Sequence, residues 1–398
     1  MDLRREPPRP LDDTSNRDFF VAIRDEIRSD GPMSFTRFME IALYDPTSGY
    51  YRSAQARPGR EGDFLTAPEA HSIFGRAIAR FAAAVHAAIG SPPAFAIREY
   101  GAGEGALAAP LVDALLDPVD PPSPAPVLLR YLVDEVEPRR VAAVRSRIAA
   151  LGPGAAGRVV VEPDDGTAID GVAIANEVLD ALPTARVVQR GDRLREVRVG
   201  LGADDGLVDI EAESPPELAA RLAADGVTLA DGQRGEVCLE VDRWIERAAS
   251  GLRRGVLLVI DYGHPAAELY DPRRRFAGTL ATYQGHQVGE DPYRAVGRQD
   301  ITAHVDVTAV ERAAAAAGLT HLGTTTQAMF LAGLGAGELL VAEQTGPGAT
   351  LQRYLEARSA LVRMIDPAAM GGFRVMVFGR DVPPDIRLPG VGPMGSED

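Results

Sequence analysis

Residues 97–107 read IREYGAGEGAL. A short apolar run ends at Tyr100, Gly101, Gly103 and Gly105 follow at alternate positions, and the helix-like ALAAPLVDALL comes next. Glycines between a strand and a helix allow a tight turn and a close approach of backbone to ligand, with the N–H groups of the helix start facing it. The spacing is G-x-G-x-G, not the G-x-G-x-x-G that dinucleotide folds use for a pyrophosphate. Glu99, two positions before Gly101, adds a carboxylate suited to a ligand with a cationic amino-acid end. The competing reading is a generic strand–helix turn.

Outward from this loop the same pattern recurs. Strand-like runs fall at Phe95–Tyr100, Leu128–Val133, Val159–Val161, Val172–Ala175 and Val256–Ile260, with Ala-rich helical stretches between most of them. Short apolar strands separated by helices predict an α/β, Rossmann-like parallel sheet covered by helices on both faces. Residues 94–183 form the first part of that core. Before it, residues 1–16 are rich in Pro and charge and predict disorder, and residues 17–93 predict a helical cap segment. There Ser34 is the expected N-cap of a helix to Leu43, and Thr66 with Glu69 the expected capping box of a helix to about Gly90. After the core, residues 184–235 predict an inserted β-rich lobe with a hairpin turning at Gly191-Asp192. Residues 236–264 return to a core strand, and 265–305 predict a loop-rich insertion on the substrate side. Residues 306–389 complete the core, opening with a helix capped by Thr308 and Glu311 and closing with the strand FRVMVFGR. A disordered tail, 390–398, is expected.

Composition excludes several classes. The chain of 398 residues is 45% hydrophobic and 25% charged, an ordinary globular balance. A formal net charge of −15 disfavours nucleic acid binding through a broad basic face. Cys238 is the single cysteine, which excludes an intrachain disulfide and a cysteine-rich metal site. No apolar run approaches the roughly 20 residues that span a bilayer, and the N-terminus lacks a signal-peptide h-region. The expectation is a cytoplasmic protein without membrane insertion. No G-x-S-x-G or P-loop pattern supports a hydrolase or NTPase.

Three further segments carry candidate chemistry. LLRYLVDEVEP ends the second strand in Asp134 and Glu135, where an acid can hold both hydroxyls of a ribose. Asp164 or Asp165, after the third strand, is a candidate for an adenine amino group. AIANEVLDALP puts Asn176, Glu177 and Asp180 at the end of the fourth strand, beside the switch point where open sheets bind ligands. The competing reading makes Asn176 a helix cap and Glu177 a dipole partner. GDFLTAPE offers Gly62, Asp63 and Thr66 to close over a ligand. DITAHVD offers Asp300, His304 and Asp306, a spacing that superficially suits a metal but better suits a pocket shared with Asp261, Tyr262 and His264.

These segments, together with FMEIALYDPTSGYY, IDYGHPAAELYDPRR, GTLATYQGH, TQAMFLAGLG and MGGFRVM, resemble the MidA family of class I methyltransferases in order from residue 38 to 376. The family commonly has Ser-Pro where this chain has Glu137-Pro138, and an E-hydrophobic-G form where it has EYGAGEG. The resemblance implies S-adenosylmethionine held by Glu99, Gly101, Gly103, Gly105, Glu135 and Asn176, with Gly62 and Thr66 closing over it. It implies no metal. It also implies an arginine side chain of a protein as methyl acceptor, one candidate being a subunit of respiratory NADH dehydrogenase. A guanidinium has a pKa above about 12 and no free lone pair, so carboxylates must orient it. Glu177 is the first candidate for that catalytic role, followed by Asp180 and Asp261. Asp63, Tyr262, His264, Asp300 and His304 are the candidates that shape the acceptor pocket. The alternatives are a small-molecule O- or N-methyltransferase and a non-catalytic assembly factor that keeps the cofactor site.

Overall fold

The structure is a computed structural model that describes residues 14–52, 62–63, 65–117, 126–346 and 348–391. Its centre is a seven-stranded sheet: β1 (Ala94–Tyr100), β2 (Leu128–Asp134), β3 (Val159–Pro163), β4 (Ile169–Asn176), β5 (Leu252–Asp261), β6 (Thr320–Thr326) and β7 (Arg374–Arg380). The spatial order is 6-7-5-4-1-2-3. Strands β1 to β5 all run parallel, and β7 is antiparallel to both β5 and β6. The chain leaves β1 toward β2 and β3, then returns to its other side as β4. The switch point therefore lies between the carboxyl ends of β1 and β4, where Tyr100 pairs with Ala175.

The strands read as continuous apolar runs because both faces are covered. Val172, Ile174, Leu258 and Val377 pack into one core with helices Ile73–Ala88 and Ala108–Leu116. Ala173, Ala175, Leu257 and Met376 point the other way, into a second core with helices Glu240–Ser250 and Val307–Ala316. The inserted segment forms a separate four-stranded antiparallel sheet, and its first hairpin joins Ala185–Arg190 to Arg193–Leu201 through Gly191-Asp192. Helix Phe35–Tyr44, with Ser34 accepting from the Arg37 N–H at 3.2 Å, packs with that lobe through Val199.

Several local expectations are corrected. Helix Thr14–Asp30 begins inside the segment read as disordered; residues 1–13 and 392–398 lie outside the described residues. Thr66 does not cap a long helix. A short helix, Ala67–Ala70, is followed by a break at His71-Ser72, and the His71 imidazole accepts from the Ile73 N–H at 3.2 Å. Asp306, not Thr308, caps Val307–Ala316 by accepting from the Ala309 N–H. Thr308 instead accepts from the Ala266 N–H, and Glu311 from the Thr324 hydroxyl. Strand β6, THLGTTT, was not anticipated: it is a mostly solvated edge with no apolar alternation to betray it.

Candidate active site

Two cavities meet at the carboxyl end of the sheet. The first, about 260 Å³, lies over the glycine loop. Gly101, Gly103 and Gly105 have φ of 65°, 54° and 82°, the left-handed region that glycine enters without strain. Glu99, Gly101, Gly103, Glu135, Asn176 and Thr66 all line this cavity. Glu135 sits one residue past β2, its side chain only 2% exposed. Its carboxylate accepts from the Gly103 N–H at 2.5 Å, the Val136 N–H at 3.1 Å and Arg140 at 3.3 Å. Burial raises its pKa, and Arg140 with these donors opposes the rise. Asp134 instead pairs with Arg247 at 3.2 Å. Glu99 is buried, receives the Tyr131 hydroxyl, and is pushed up to about 7 by burial. Leu107, Val136 and Trp244 supply apolar wall.

S-adenosylmethionine suits this lining. An acid at the tip of β2, a turn that exposes backbone, and the Asn176 Oδ1, buried without a protein partner, match a ligand with ribose hydroxyls and an ammonium group.

The second cavity, about 540 Å³, adjoins the first through Glu177 and Tyr51, which line both. Glu177 occupies the turn that leaves β4. Its φ is 53°, unusual for a residue with a side chain, and its N–H donates to the Ile260 carbonyl at 2.8 Å. The surrounding sheet pins this strained residue at the cavity junction. Asn176 donates to its carboxylate at 3.1 Å, and the Ala67 N–H also contributes. Burial, then the nearby Asp180, push Glu177 up to about 8. Asp180 receives the Tyr262 hydroxyl on Oδ2 and is raised to about 6 by burial. Asp300 accepts from the Tyr51 hydroxyl at 2.9 Å and is raised to about 8, again chiefly by burial. Asp63, Tyr262, His264 and His304 complete the expected set in this cavity.

The comparisons with known proteins agree with this architecture. The family described as "Putative S-adenosyl-L-methionine-dependent methyltransferase" matches residues 77–325. A crystal structure from Burkholderia thailandensis, bound to S-adenosyl-homocysteine, is 32% identical, with 97% of each chain covered and a TM-score of 0.85. The chain belongs to this family of S-adenosylmethionine-dependent methyltransferases. Curated relatives include the mitochondrial protein arginine methyltransferase NDUFAF7 of Xenopus laevis, 29% identical over 78% of this chain and 72% of the relative. The Drosophila melanogaster homologue is 25% identical over 92% of this chain and 87% of the relative.

Those names correct the cytoplasmic expectation, since both of these curated relatives are named mitochondrial. Among the described residues no helix is long and apolar enough to cross a membrane.

In this methyltransferase three of the expected site residues line neither cavity. Gly105 packs against Val144 and Arg147, where it serves the close approach of helix to loop. Gly62 stands beside the cavity-lining Asp63 without lining either cavity itself. Asp261 is 1% exposed and accepts from the N–H groups of Val178, Leu179 and Asp180 at 3.1, 2.8 and 3.3 Å. It is committed to the backbone of the turn carrying Glu177 and Asp180 and does not reach either cavity, where a catalytic group was expected. Asp164 is likewise taken, by the buried Arg98 at 2.8 Å, and Asp165 by Thr167. No helix starts at Asn176: β4 ends there and a 3-10 turn, Leu179–Ala181, follows, so the helix-cap reading fails. Among the described residues no cluster could hold a metal, and Asp306 is occupied as a helix cap.

The sequence reading missed Tyr44, Tyr51 and Trp244. Tyr44 and Tyr51 stack at 5.5 Å over the junction, and Trp244 packs edge-on to Tyr100 at 4.9 Å. The adjacent tyrosines of SGYY, in a loop too polar to need them for its own core, were the available signal.

Proposed function

We propose that this methyltransferase transfers a methyl group to an arginine side chain of a protein acceptor. The observation that carries the proposal is the charge of the second cavity. Asp63, Glu177, Asp180 and Asp300 line it, and among the described residues no arginine or lysine does. Burying carboxylates without a cation is costly and raises their pKa, the direction that burial gives Glu177, Asp180 and Asp300, with Asp180 adding to the rise at Glu177 and Asp300. A planar guanidinium relieves that cost and accepts bidentate pairing. The names of the curated relatives support the same acceptor type, and a subunit of respiratory NADH dehydrogenase is the candidate the family resemblance offers. A closed apolar pocket for a small molecule does not match this lining, and a relic site gives no reason to keep a strained glutamate at the cavity junction.

In this reading S-adenosylmethionine supplies an electrophilic methyl group when bound. Glu135 orients it from the tip of β2, and Glu177 holds the acceptor guanidinium with one nitrogen toward the shared opening. Holding two reactants in attack geometry can lower a barrier by about 7–11 kcal/mol. The test is incubation with labelled S-adenosylmethionine in a lysate of cells lacking the enzyme, followed by mass spectrometry. Label on arginine of a protein is expected. Label confined to small molecules, or to lysine, contradicts the reading.

A further inference from the structure

Behind Asp180 lies a third, small cavity of about 30 Å³, on the side of the wall away from the acceptor. Asp180 and His304 line both this cavity and the acceptor cavity, and Thr184 lines the small one. Each of these three carries a buried polar atom without a protein partner: Asp180 Oδ1, Thr184 Oγ1 and His304 Nδ1. Asp180 and His304 are anchored by their other groups. The Tyr262 hydroxyl occupies Asp180 Oδ2, and the His304 ring is wedged edge-on to Tyr262 at 5.3 Å and stacked on His264 at 5.6 Å. A polar cavity of this size accommodates one water, and buried waters make about three hydrogen bonds.

We propose that one ordered water in this cavity, held by Thr184 and His304, donates to Asp180 Oδ1 and keeps Asp180 ionised as the proton acceptor of methyl transfer. The proposal rests on the arginine reading above. Donors and acceptors then balance: the Thr184 hydroxyl donates to the water, and the water donates to Asp180 and to the imidazole Nδ1. Burial, with His264 and Arg275 nearby, holds His304 down to about 4, so its ring is neutral and one nitrogen accepts. In the reaction the acceptor nitrogen's electron pair forms the new N–C bond while the S–C pair stays on sulfur. Two cations become one, and the surplus N–H proton passes to the Asp180 carboxylate. Thr184 and His304 act through Asp180 as positioning residues.

Asp180 faces other titrating groups from every side. Glu177 and Asp261 approach from the strand ends, and Tyr44 and Tyr51 from the N-terminal segment. Asp300 and Tyr283 approach from a three-stranded antiparallel sheet of Ala281–Gln284, Gln287–Gly289 and Asp300–Thr302, and Tyr262 from beyond β5. Arg221, Glu236, Cys238, Tyr270 and Asp306 line the far wall of the small cavity.

Two measurements test the proposal. A crystal structure of the full chain should contain a water within hydrogen-bonding distance of all three atoms; a dry cavity overturns the proposal whatever the acceptor. In single-turnover assays, Thr184→Val removes the hydroxyl and keeps the shape. Because a hydrogen bond to a carboxylate favours its charged form, the acid limb of the pH–rate profile should move up by about one pH unit. Thr184→Ser should leave it in place. A limb unmoved in Thr184→Val overturns the water's role while leaving arginine methylation intact. A parent protein that methylates no arginine overturns the reading on which both depend.

Discussion

The cofactor cavity mixes its acids with cations: Arg140 stands against Glu135, and Arg247 against Asp134. The acceptor cavity has acids of the same kind, yet Tyr50, Tyr51 and Tyr262 donate to Asp63, Asp300 and Asp180, Asn176 donates to Glu177, and among the described residues no arginine or lysine lines the space. One residue type thus does two jobs on either side of Glu177. Where the charge is already balanced, a carboxylate offers lone pairs to hydroxyls. Where no cation stands against it among the described residues, a buried carboxylate suits the cationic acceptor proposed above. Under the proposed arginine reading, acceptor class is set less by the count of acids than by which of them lack a cation among the described residues.

The strongest way to break the comparison is to remove one cavity and leave the other. Gly103 adopts φ 54° beside Glu135. Gly103→Val should reduce S-adenosylmethionine affinity on the order of 10² or more by calorimetry, with circular dichroism unchanged, since a β-branched residue is strained there. Retained affinity would remove the glycine loop from the cofactor site. A smaller effect is expected for Glu135→Ala, which should weaken the cofactor by about 1.5–3 kcal/mol, the scale of hydrogen bonds to a charged group. Asp134→Ala should change it much less, because Asp134 is spent on Arg247; the reverse order would misplace the ribose acid.

The smallest effect sharpens the other side. The folded pKa of Glu177 is raised to about 8, above its unfolded value. A raised carboxylate binds more protons folded than unfolded, so its contribution to stability is present at low pH and lost as pH rises toward 8. The melting temperature of the parent should therefore fall between pH 5 and pH 8, and Glu177→Gln should fall less, by a few degrees. Parallel curves would mean that Glu177 is not held as a buried acid.

The sheet was legible because its strands are apolar on both faces and its glycine loop is local. Glu135, Glu177 and Asp180 were legible because chain position alone puts them at strand ends beside the switch point. Asp261 also ends a strand, and only three-dimensional contact reveals that four backbone N–H groups claim its carboxylate. Tyr44 and Tyr51 reach the junction through long-range packing that no spacing encodes. The break at His71-Ser72 was hidden because Thr66 and Glu69 fit a capping pattern while a histidine ring supplies the actual cap.

In the proposed reading Glu177 binds the acceptor's charge and not the cofactor. The most direct measurement is single-turnover methyl transfer by Glu177→Gln to the identified protein acceptor, with S-adenosylmethionine affinity determined on the same preparation. Affinity within a few-fold of the parent is expected, with a turnover lower by about 10²–10³, the cost of one preorganised electrostatic contact. Near-parental turnover in the Gln variant, or a loss of cofactor affinity that matches the loss of rate, would contradict it.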